Sequence, residues 1–266
     1  MVSPTPLEKP QMWTCPSGHT LAYHRFDPAA EGGQATSSIG VVFLHGLMSD
    51  MDGSKALHVE AHCRQRGWPF LRFDQSGHGQ SEGRFIDGTI GGWAEDTCAM
   101  IDALTSGPQI VIGSSMGGWV MLLTALKRQD RVAGLLGIAP APDFTEELTW
   151  PALTPAQQTE VMETGIVAIP SAYSEEPYRF SRALFEDGRR NSLLGGPIPF
   201  AGPVRILHGQ KDEAVPWQHA LRIADQLTTA DVEITFIKDG DHRLSEPAHL
   251  ERLSQTLDAL HSSLSG

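Results

Sequence analysis

Residues 109–117 read QIVIGSSMG, and no other stretch of the 266-residue chain is as informative about its architecture. The stretch begins as an apolar run typical of a buried strand, and apolar residues in 116–128 predict a helix directly after it. Between them, 113–117 fits the pattern G-x-S-x-G, which in this setting indicates a sharp strand-to-helix turn. Such a turn holds its central serine in a strained backbone conformation between closely packed glycines. Ser115 is therefore the candidate nucleophile, and a Gly-rich turn that only links strand to helix is the alternative.

Short β-rich runs alternate with helical runs on both sides of this turn. Two runs around Pro16-Ser17-Gly18 predict a β-hairpin, and later strands are apolar throughout, as expected for strands buried on both faces. The alternation predicts an α/β fold in which a mostly parallel, eight-stranded sheet carries helices on both faces. The predicted strands are 11–15, 20–26, 40–44, 69–73, 109–112, 132–139, 203–207 and 232–237, and the predicted helices are 54–67, 92–105, 116–128, 216–228 and 246–262.

One segment, 143–200, interrupts this alternation. It is rich in Pro, Glu and Ser and shows short helical patterns but no strong strand. It lies between the end of one strand and the start of the next, at the carboxyl edge of the sheet, where ligands bind. We therefore expect a core of 1–142 and 201–266 with 143–200 inserted as a small lid. A surface excursion without a role is the alternative.

A serine hydroxyl needs a base that takes its proton, and the chain order for this kind of turn is serine, acid, histidine. His242 follows the predicted strand 232–237, and Asp212 follows the strand before it. The acid would hold the imidazole tautomer and stabilise the imidazolium. We predict Ser115, Asp212 and His242 as the catalytic residues. Four others have plainer expected roles: His208 is a packed turn residue, Asp241 is a turn residue, and the helical residues His249 and His261 are exposed.

Acyl transfer also needs N–H donors aimed at the developing oxyanion. The residue after the nucleophile supplies one of them, which here is the backbone N–H of Met116. The loop after the predicted strand 40–44 supplies the second, and Leu47 is the expected donor. Gly46 permits a tight turn in this loop, and we expect His45 to buttress it.

The composition argues against several other classes of protein. The chain has 20 Lys and Arg against 32 Asp and Glu, a net charge of −12. This balance argues against nucleic-acid binding and against docking on anionic membranes through a basic face. The Gly-rich loop 74–81 lacks the Lys and Ser/Thr of a P-loop, and no HExxH motif or His/Cys cluster indicates a catalytic metal. No cofactor and no metal are expected.

Cysteine usage and the termini bear on the compartment. Cys15, Cys63 and Cys98 are odd in number and lack CxxC spacing, which argues against a disulfide scaffold and favours a reducing compartment. The first residues show no secretory signal, and no apolar run reaches the roughly 18 residues of a spanning helix. We expect a cytoplasmic protein, or one of the mitochondrial matrix if a leader has been removed.

Several motifs together resemble the α/β-hydrolase-fold serine esterases. More narrowly, they resemble the mitochondrial α/β-hydrolase-domain palmitoyl-protein thioesterases, also described as mycophenolic acid acyl-glucuronide esterases. The resemblance implies the α/β-hydrolase fold and Ser115, Asp212 and His242 in the catalytic roles already predicted. The matching stretches are HGL (45–47), RFDQSGHGQSEG (72–83), GSSMGGW (113–119), PSAYSEE (170–176), PIP (197–199), LHGQKDEAVPW (207–217) and DHR (241–243).

The expected function is hydrolysis of carboxylic esters or thioesters through an acyl-enzyme on Ser115. Other triad chemistry on the same fold, such as carbon–carbon bond hydrolysis, is one alternative, and a non-catalytic binding protein is another. The expected partner is a small-molecule ester or acyl thioester, or an acylated protein, with no nucleic acid and no transmembrane segment.

Candidate substrate-binding residues lie in the insertion and next to the proposed base. Four apolar residues could line an acyl pocket, although they would serve equally to pack the insertion onto the core: Trp150, Val167, Ile169 and Tyr173. Arg243 adjoins His242 and is a candidate to contact an anionic substrate group such as a glucuronide carboxylate. The same role is open to four arginines of the insertion, with pairing to nearby carboxylates as the alternative: Arg179, Arg182, Arg189 and Arg190.

Overall fold

The computed structural model describes residues 9–30, 32–169 and 177–265, and strands form the centre of this part of the chain. The strands are β1 (Gln11–Thr14), β2 (Thr20–Phe26), β3 (Gly40–Leu44), β4 (Phe70–Phe73), β5 (Gln109–Ser114), β6 (Val132–Ile138), β7 (Ile166–Ile169), β8 (Tyr178–Ser181), β9 (Val204–Gly209) and β10 (Val232–Ile237). Eight of them form one sheet in the order β1-β2-β4-β3-β5-β6-β9-β10. The β1–β2 hairpin and the β2–β4 pair are antiparallel, and the other neighbours are parallel. The predicted mostly parallel, eight-stranded sheet is confirmed.

Helices cover both faces of this sheet. They are α1 (Ser54–Arg66), α2 (Ile90–Leu104), α3 (Met116–Lys127), α4 (Trp150–Ala152), α5 (Pro155–Thr164), α6 (Arg182–Arg190), α7 (Gln218–Gln226) and α8 (Pro247–Leu264), with a short 3₁₀ turn at Phe85–Asp87 and a π-helical turn at Thr145–Thr149. Successive residues of β3 enter opposite cores, with Val42 on the side of α2 and α3 and Val41 on the side of α1 and α8. Burial of both faces explains the uninterrupted apolar runs of the central strands.

The order of the central strands determines where a ligand can bind. From β3 the chain crosses to β4 on one side, and from β4 it crosses back to β5 on the other side of β3. The loops after β3 and β5 therefore leave in opposite directions and open a crevice at the carboxyl edge of the sheet. Both predicted oxyanion donors and Ser115 lie at this switch point.

Three predictions made from the sequence about the fold and about burial are wrong. The segment 143–200 was expected to hold no strong strand, but β7 and β8 pair antiparallel as a separate two-stranded sheet. Four-residue strands are too short for a two-residue period to stand out against the helical pattern around them. His249 and His261 were expected to be exposed, but His249 is half-buried, and His261 is buried and stacks on Trp68 with a centroid distance of 3.7 Å.

Among the helices of the described residues, none is both long enough and apolar enough to span a bilayer.

Candidate active site

The turn between β5 and α3 has the geometry that the G-x-S-x-G pattern predicts. Ser115 has φ 53° and ψ −119°, a conformation that is sterically costly for a residue with a Cβ. The turn is also crowded, because a Cβ on Gly117 would come within 2.4 Å of the carbonyl oxygen of Leu44. Ser115 is half-buried while both of its neighbours in the chain are buried. The turn therefore presents the Ser115 side chain at the carboxyl edge of the sheet.

Two hydrogen bonds connect the three side chains that the sequence analysis predicts as catalytic. His242 Nε2 lies 3.0 Å from Ser115 Oγ, and His242 Nδ1 lies 2.7 Å from Asp212 Oδ2. Because Nδ1 donates its proton to the carboxylate, Nε2 of the neutral ring is free to accept the hydroxyl proton of Ser115. The loops after β5, β9 and β10 thus bring together three residues that are distant in sequence.

The loop that carries His242 is shaped by Asp241. Oδ1 of Asp241 accepts the backbone N–H groups of Arg243 at 3.1 Å and Leu244 at 3.0 Å. The predicted role of Asp241 as a turn residue is confirmed. Its carboxylate is engaged with the backbone, which leaves Asp212 as the acid bonded to His242.

Asp212 is completely enclosed, yet its carboxylate accepts hydrogen bonds on both oxygens. Oδ1 accepts the backbone N–H groups of Ala214 at 2.9 Å and Val215 at 2.8 Å, and Oδ2 lies 3.2 Å from His208 Nε2 in addition to His242. Burial alone would raise the pKa of Asp212, but hydrogen bonds from His208 and His242 outweigh it and hold that pKa well below its usual range. Asp212 is therefore charged at neutral pH. His208 contacts this carboxylate, a contact that the sequence analysis missed.

The loop after β3 brings a glycine against the turn. A Cβ on Gly46 would lie 3.3 Å from that of Ser115. His45 Nδ1 donates to the Gly46 carbonyl at 2.8 Å, and its Nε2 accepts the Gln75 N–H at 3.0 Å. Burial lowers the pKa of His45 to about 4, and the hydrogen bond to the Gly46 carbonyl, which acts in the opposite direction, does not offset it. The ring is therefore neutral and can donate one hydrogen bond while it accepts another. His45 therefore buttresses this loop as predicted.

The two predicted oxyanion donors line the same cavity as Ser115. Leu47 lies in the loop after β3, and Met116 is the first residue of α3. Within the described residues, neither backbone N–H donates to another group. Both N–H groups are thus available to an oxyanion formed next to Ser115.

A cavity of about 900 Å³ opens at Ser115 and His242. One part of its wall is apolar and comes largely from 143–200, with Phe144, Leu148, Leu153, Ile169, Tyr178 and Phe180. The part beside His242 is polar and carries Ser49, Asp50, Ser54, Lys55, Arg243 and Ser245. A volume in this range suits a ligand of drug-like size or an acyl chain.

Some of the residues predicted to contact substrate line the cavity, and others do not. Ile169 and Arg243 line the cavity. Trp150 packs against Phe185 at a ring distance of 5.3 Å, and Val167 is fully buried in the core, so neither belongs to the cavity wall. Tyr173 lies outside the described residues.

Most of the insertion's arginines have carboxylate partners. Arg182 pairs with Glu186 at 3.5 Å, Arg189 with Glu146 at 2.8 Å and Arg190 with Asp187 at 3.2 Å. Arg179 is exposed and is not part of the cavity wall.

Two cations stand together on the polar side of the cavity. Lys55 Nζ donates to the carbonyl oxygen of Arg243 at 2.6 Å. Burial and then the charge of Arg243 lower the pKa of Lys55 to about 8. Within the part of the chain that the structure describes, neither side chain forms an ion pair. Lys55 had no signal in the sequence, since only the fold brings α1 against the His242 loop.

The cysteines lie away from this cavity. Cys15, Cys63 and Cys98 are free and buried, and burial raises the pKa of each thiol. A buried neutral thiol is a poor nucleophile, which leaves Ser115 without a competitor among them.

Comparisons with known proteins agree on one family. Residues 37–182 match the family described as serine aminopeptidase, S33. The mitochondrial palmitoyl-protein thioesterase ABHD10 of Mus musculus is 41% identical over 227 residues, which cover 85% of this chain and 76% of the relative. The crystal structure of a hydrolase from Agrobacterium vitis S4 has a TM-score of 0.89 and 39% identity, covering 95% of this chain and 98% of that one. α/β-Hydrolase domain-containing protein 10 from mouse has a TM-score of 0.85 and 37% identity, covering 96% and 99%.

Proposed function

The chain belongs to the serine aminopeptidase S33 family of α/β-hydrolases and is a serine hydrolase of carboxylic esters or thioesters; we propose that Ser115 carries the acyl group, with His242 as base and Asp212 as acid. The continuous hydrogen-bonded chain from Ser115 Oγ through His242 to Asp212 carries this proposal. The strained turn at Ser115 supports it independently, because backbone strain of this kind clusters at active sites.

The reaction has two halves on this geometry. Ser115 Oγ attacks the carbonyl carbon while His242 Nε2 takes its proton, and Asp212 stabilises the imidazolium that forms. The oxyanion accepts hydrogen bonds from the backbone N–H groups of Leu47 and Met116. His242 then protonates the leaving alcohol or thiol. A water molecule, deprotonated by His242, then attacks the acyl-enzyme. The bond between the acyl carbon and Ser115 Oγ breaks, His242 returns the proton to Oγ, and the carboxylic acid leaves.

The two sides of the cavity take different parts of the substrate. The leaving group must lie next to His242, because Nε2 delivers its proton. The acyl chain then extends along the apolar wall, where Ile169 contacts it and Trp150 and Val167 support that wall from behind. This arrangement and the name of the mouse relative, a palmitoyl-protein thioesterase, support a long-chain acyl thioester, either a small molecule or an acylated protein.

The segment 143–200 acts as the lid over this cavity. It supplies most of the apolar wall, whereas the core strands and their loops supply Ser115, Asp212 and His242. Exclusion of water by such a cover strengthens the electrostatic interactions around the reacting carbonyl.

Replacing Ser115 by Ala tests the central assignment. We expect turnover of a p-nitrophenyl ester and labelling by a fluorophosphonate both to be lost, while circular dichroism and the melting temperature stay close to those of the wild type. Turnover and labelling that persist in Ser115→Ala would contradict the proposal. A wild-type protein that is labelled but cleaves neither esters nor thioesters would favour carbon–carbon bond hydrolysis. Absence of labelling would favour a binding protein.

A chain-length series tests the acyl preference. We expect kcat/KM for matched p-nitrophenyl esters and acyl thioesters to rise from acetyl to the longer chains, because each added CH₂ buries apolar surface. An optimum at acetyl or butyryl would contradict a long-chain substrate. Aminoacyl p-nitroanilides belong in the series because the family is named for aminopeptidases.

Lys55 and Arg243 contact the leaving group in this arrangement. A matched pair of thioesters, made with 3-mercaptopropionate and 3-mercaptopropionamide, differs in one negative charge on the leaving group. We expect Lys55→Met and Arg243→Gln each to lower the ratio of kcat/KM for the anionic over the neutral thioester by about tenfold, the size of a charge-assisted hydrogen bond. The exposed controls Lys238→Met and Arg252→Gln should leave that ratio unchanged. A ratio that stays constant in all four variants would contradict contact with the leaving group.

The compartment stays a prediction. The mouse relative is named as mitochondrial, which supports the matrix as the alternative to the expected cytoplasmic location. Fractionation of cells that carry the tagged natural gene, with matrix and cytosolic markers, decides between them.

A further inference from the structure

We propose that His208 is a positioning residue of the reaction, which acts through Asp212 by donating a hydrogen bond to the oxygen that also holds His242. The inference rests on the triad proposed above and adds a fourth side chain to it. From the sequence, His208 is expected only to pack within a turn, and the reaction steps above do not use it.

The contacts of His208 are those of a fixed donor. The residue lies near the end of β9 and is fully buried. Its Nε2 is 3.0 Å from the carbonyl oxygen of Val215 and 3.2 Å from Asp212 Oδ2. Since the carbonyl oxygen can only accept, Nε2 carries the proton, and the Asp212 carboxylate lies within reach of the same N–H.

The tautomer follows from the other ring nitrogen. Nδ1 of His208 is buried and has no hydrogen-bond partner among the described residues. A second proton on Nδ1 would meet no acceptor there, so the geometry points to the neutral ring with its proton on Nε2. His208 thus donates to Asp212 without adding a second positive charge beside His242.

This donor completes the set of groups that orient the Asp212 carboxylate. The N–H groups of Ala214 and Val215 hold Oδ1, and His208 and His242 share Oδ2. A carboxylate held on both oxygens cannot rotate away from His242. The imidazole is thereby kept in the orientation in which Nε2 faces Ser115.

The same bond changes the proton affinity of the Asp212–His242 pair. An N–H dipole aimed at the carboxylate stabilises the deprotonated pair more than the protonated one, in which His242⁺ already neutralises the charge. Removing that dipole should raise the pH at which the pair takes up its proton. The charged groups around the pair stay the same in every variant: the exposed Glu213, the Lys211–Asp239 ion pair, and Lys55 and Arg243 at the cavity.

The test compares His208→Phe, which keeps a ring but has no donor, with His208→Gln, whose amide N–H can reach the same oxygens. In His208→Phe we expect kcat/KM to fall roughly tenfold and the acid limb of its pH profile to move up by about half to one pH unit, the size of one hydrogen bond. His208→Gln should restore most of the lost kcat/KM and return the acid limb most of the way to its wild-type position. The matched control is His261→Phe, because His261 is a buried histidine of α8 that stacks on Trp68 and makes no contact with Asp212 among the described residues; the acid limb of this variant should not move.

A purely structural role gives a different result. A lower kcat/KM at every pH, with the acid limb in place and no rescue by Gln, would overturn the proposal. The proposal would also be overturned if His208→Phe lowered kcat/KM as much in the Asp212→Asn background as it does in the wild type. A residue that acts through Asp212 should lose its effect once the carboxylate is gone.

A measurement on the wild-type protein covers the case in which His208→Phe does not fold. Long-range ¹H–¹⁵N correlation of the histidine rings reports which nitrogen carries the proton. We expect His208 to be neutral and protonated on Nε2, with a slowly exchanging N–H, at the pH of maximal activity. A ring protonated on Nδ1 would overturn the inference. If Ser115→Ala abolishes turnover while His208 fails these tests, the inference about His208 alone is wrong; if Ser115→Ala stays active, the triad itself is wrong.

Discussion

The turn at Ser115 shows how much depends on single residues. Ser115 has positive φ, and the glycines around it have no room for a side chain, because a Cβ on Gly113 would lie 2.3 Å from the Gly117 carbonyl oxygen. These requirements are local, so the motif alone predicted them. The partner of Asp212 is different: His208 looks like any strand-end histidine in the sequence, and only its distance to the carboxylate reveals the contact.

Gly117→Ala tests the close approach of α3 to β3. The added Cβ would meet backbone oxygens, 2.4 Å from that of Leu44 and 2.5 Å from that of His45, which cannot swing aside as a side chain can. We expect a loss of about 1–3 kcal/mol of stability and at least a tenfold lower kcat/KM, because the shift moves the loop that carries Leu47. The melting temperature and ester kinetics measure both effects.

Gly195→Ala is the matched control, since nothing lies within 4 Å of its added Cβ and its φ is not positive. We expect its stability to stay within about 0.5 kcal/mol of the wild type, with kinetics unchanged. A Gly117→Ala variant as stable and active as Gly195→Ala would show that the turn is less crowded than the distances indicate.

At the scale of elements, one side chain joins the beginning of the insertion to its end. Asp143 is buried with φ 59°, and its carboxylate accepts Ser192 Oγ at 2.6 Å and the N–H groups of Leu193 at 2.8 Å and Leu194 at 2.7 Å. The two ends of the segment are thereby joined. This contact spans about 50 residues, so a local pattern could predict an insertion but not how it is closed.

Asp143→Ala is expected to loosen the insertion. It leaves the buried N–H of Leu194 and the part-buried N–H of Leu193 without their acceptor, which should cost about 1–3 kcal/mol, and it adds strain because alanine disfavours positive φ. Limited proteolysis should cut first within 143–200, and the melting temperature should fall.

The exposed Asp225→Ala is the control and should show neither change. Asp143→Asn, which tolerates positive φ and keeps one acceptor oxygen, should be intermediate. Unchanged proteolysis in Asp143→Ala would mean that the insertion's other contacts, such as the hydrogen bond from the Gly91 N–H to Asp187 and the Arg222–Glu147 ion pair, hold it in place without Asp143.

At the scale of the whole molecule, buried neutral histidines couple the stability of the fold to pH. Burial lowers the pKa of His45 to about 4. The pKa of His78 falls to about 3 through burial and the neighbouring His45, whose ring lies 4.9 Å away. Both are held near the oxyanion loop, so the same packing that orders this loop keeps the rings uncharged.

Stability is therefore expected to fall on acidification between about pH 6.5 and 4. In that window the unfolded chain binds a proton at each of these positions while the folded chain does not, so the free energy of unfolding rises with pH. The slope approaches about 1.4 kcal/mol per pH unit for each histidine. Urea unfolding at several pH values measures this slope. His78→Phe should reduce the slope by about the contribution of one histidine.

His19→Gln, which changes an exposed histidine, serves as the control for the loss of a histidine side chain as such. A slope in His78→Phe equal to that of the wild type would mean that His78 takes up its proton in the folded protein as readily as in the unfolded one.

The amino-acid sequence by itself determined the alternation of strands and helices, the strained turn at Ser115 and the residue types of the triad. These follow from apolar periodicity, glycine positions and motif order, which act over a few neighbouring residues. It missed β7 and β8, the burial of His261, and the places of His208 and Lys55. Those depend on contacts between segments distant in sequence, and only the packing of the sheet, its helices and the insertion decided which side chains meet.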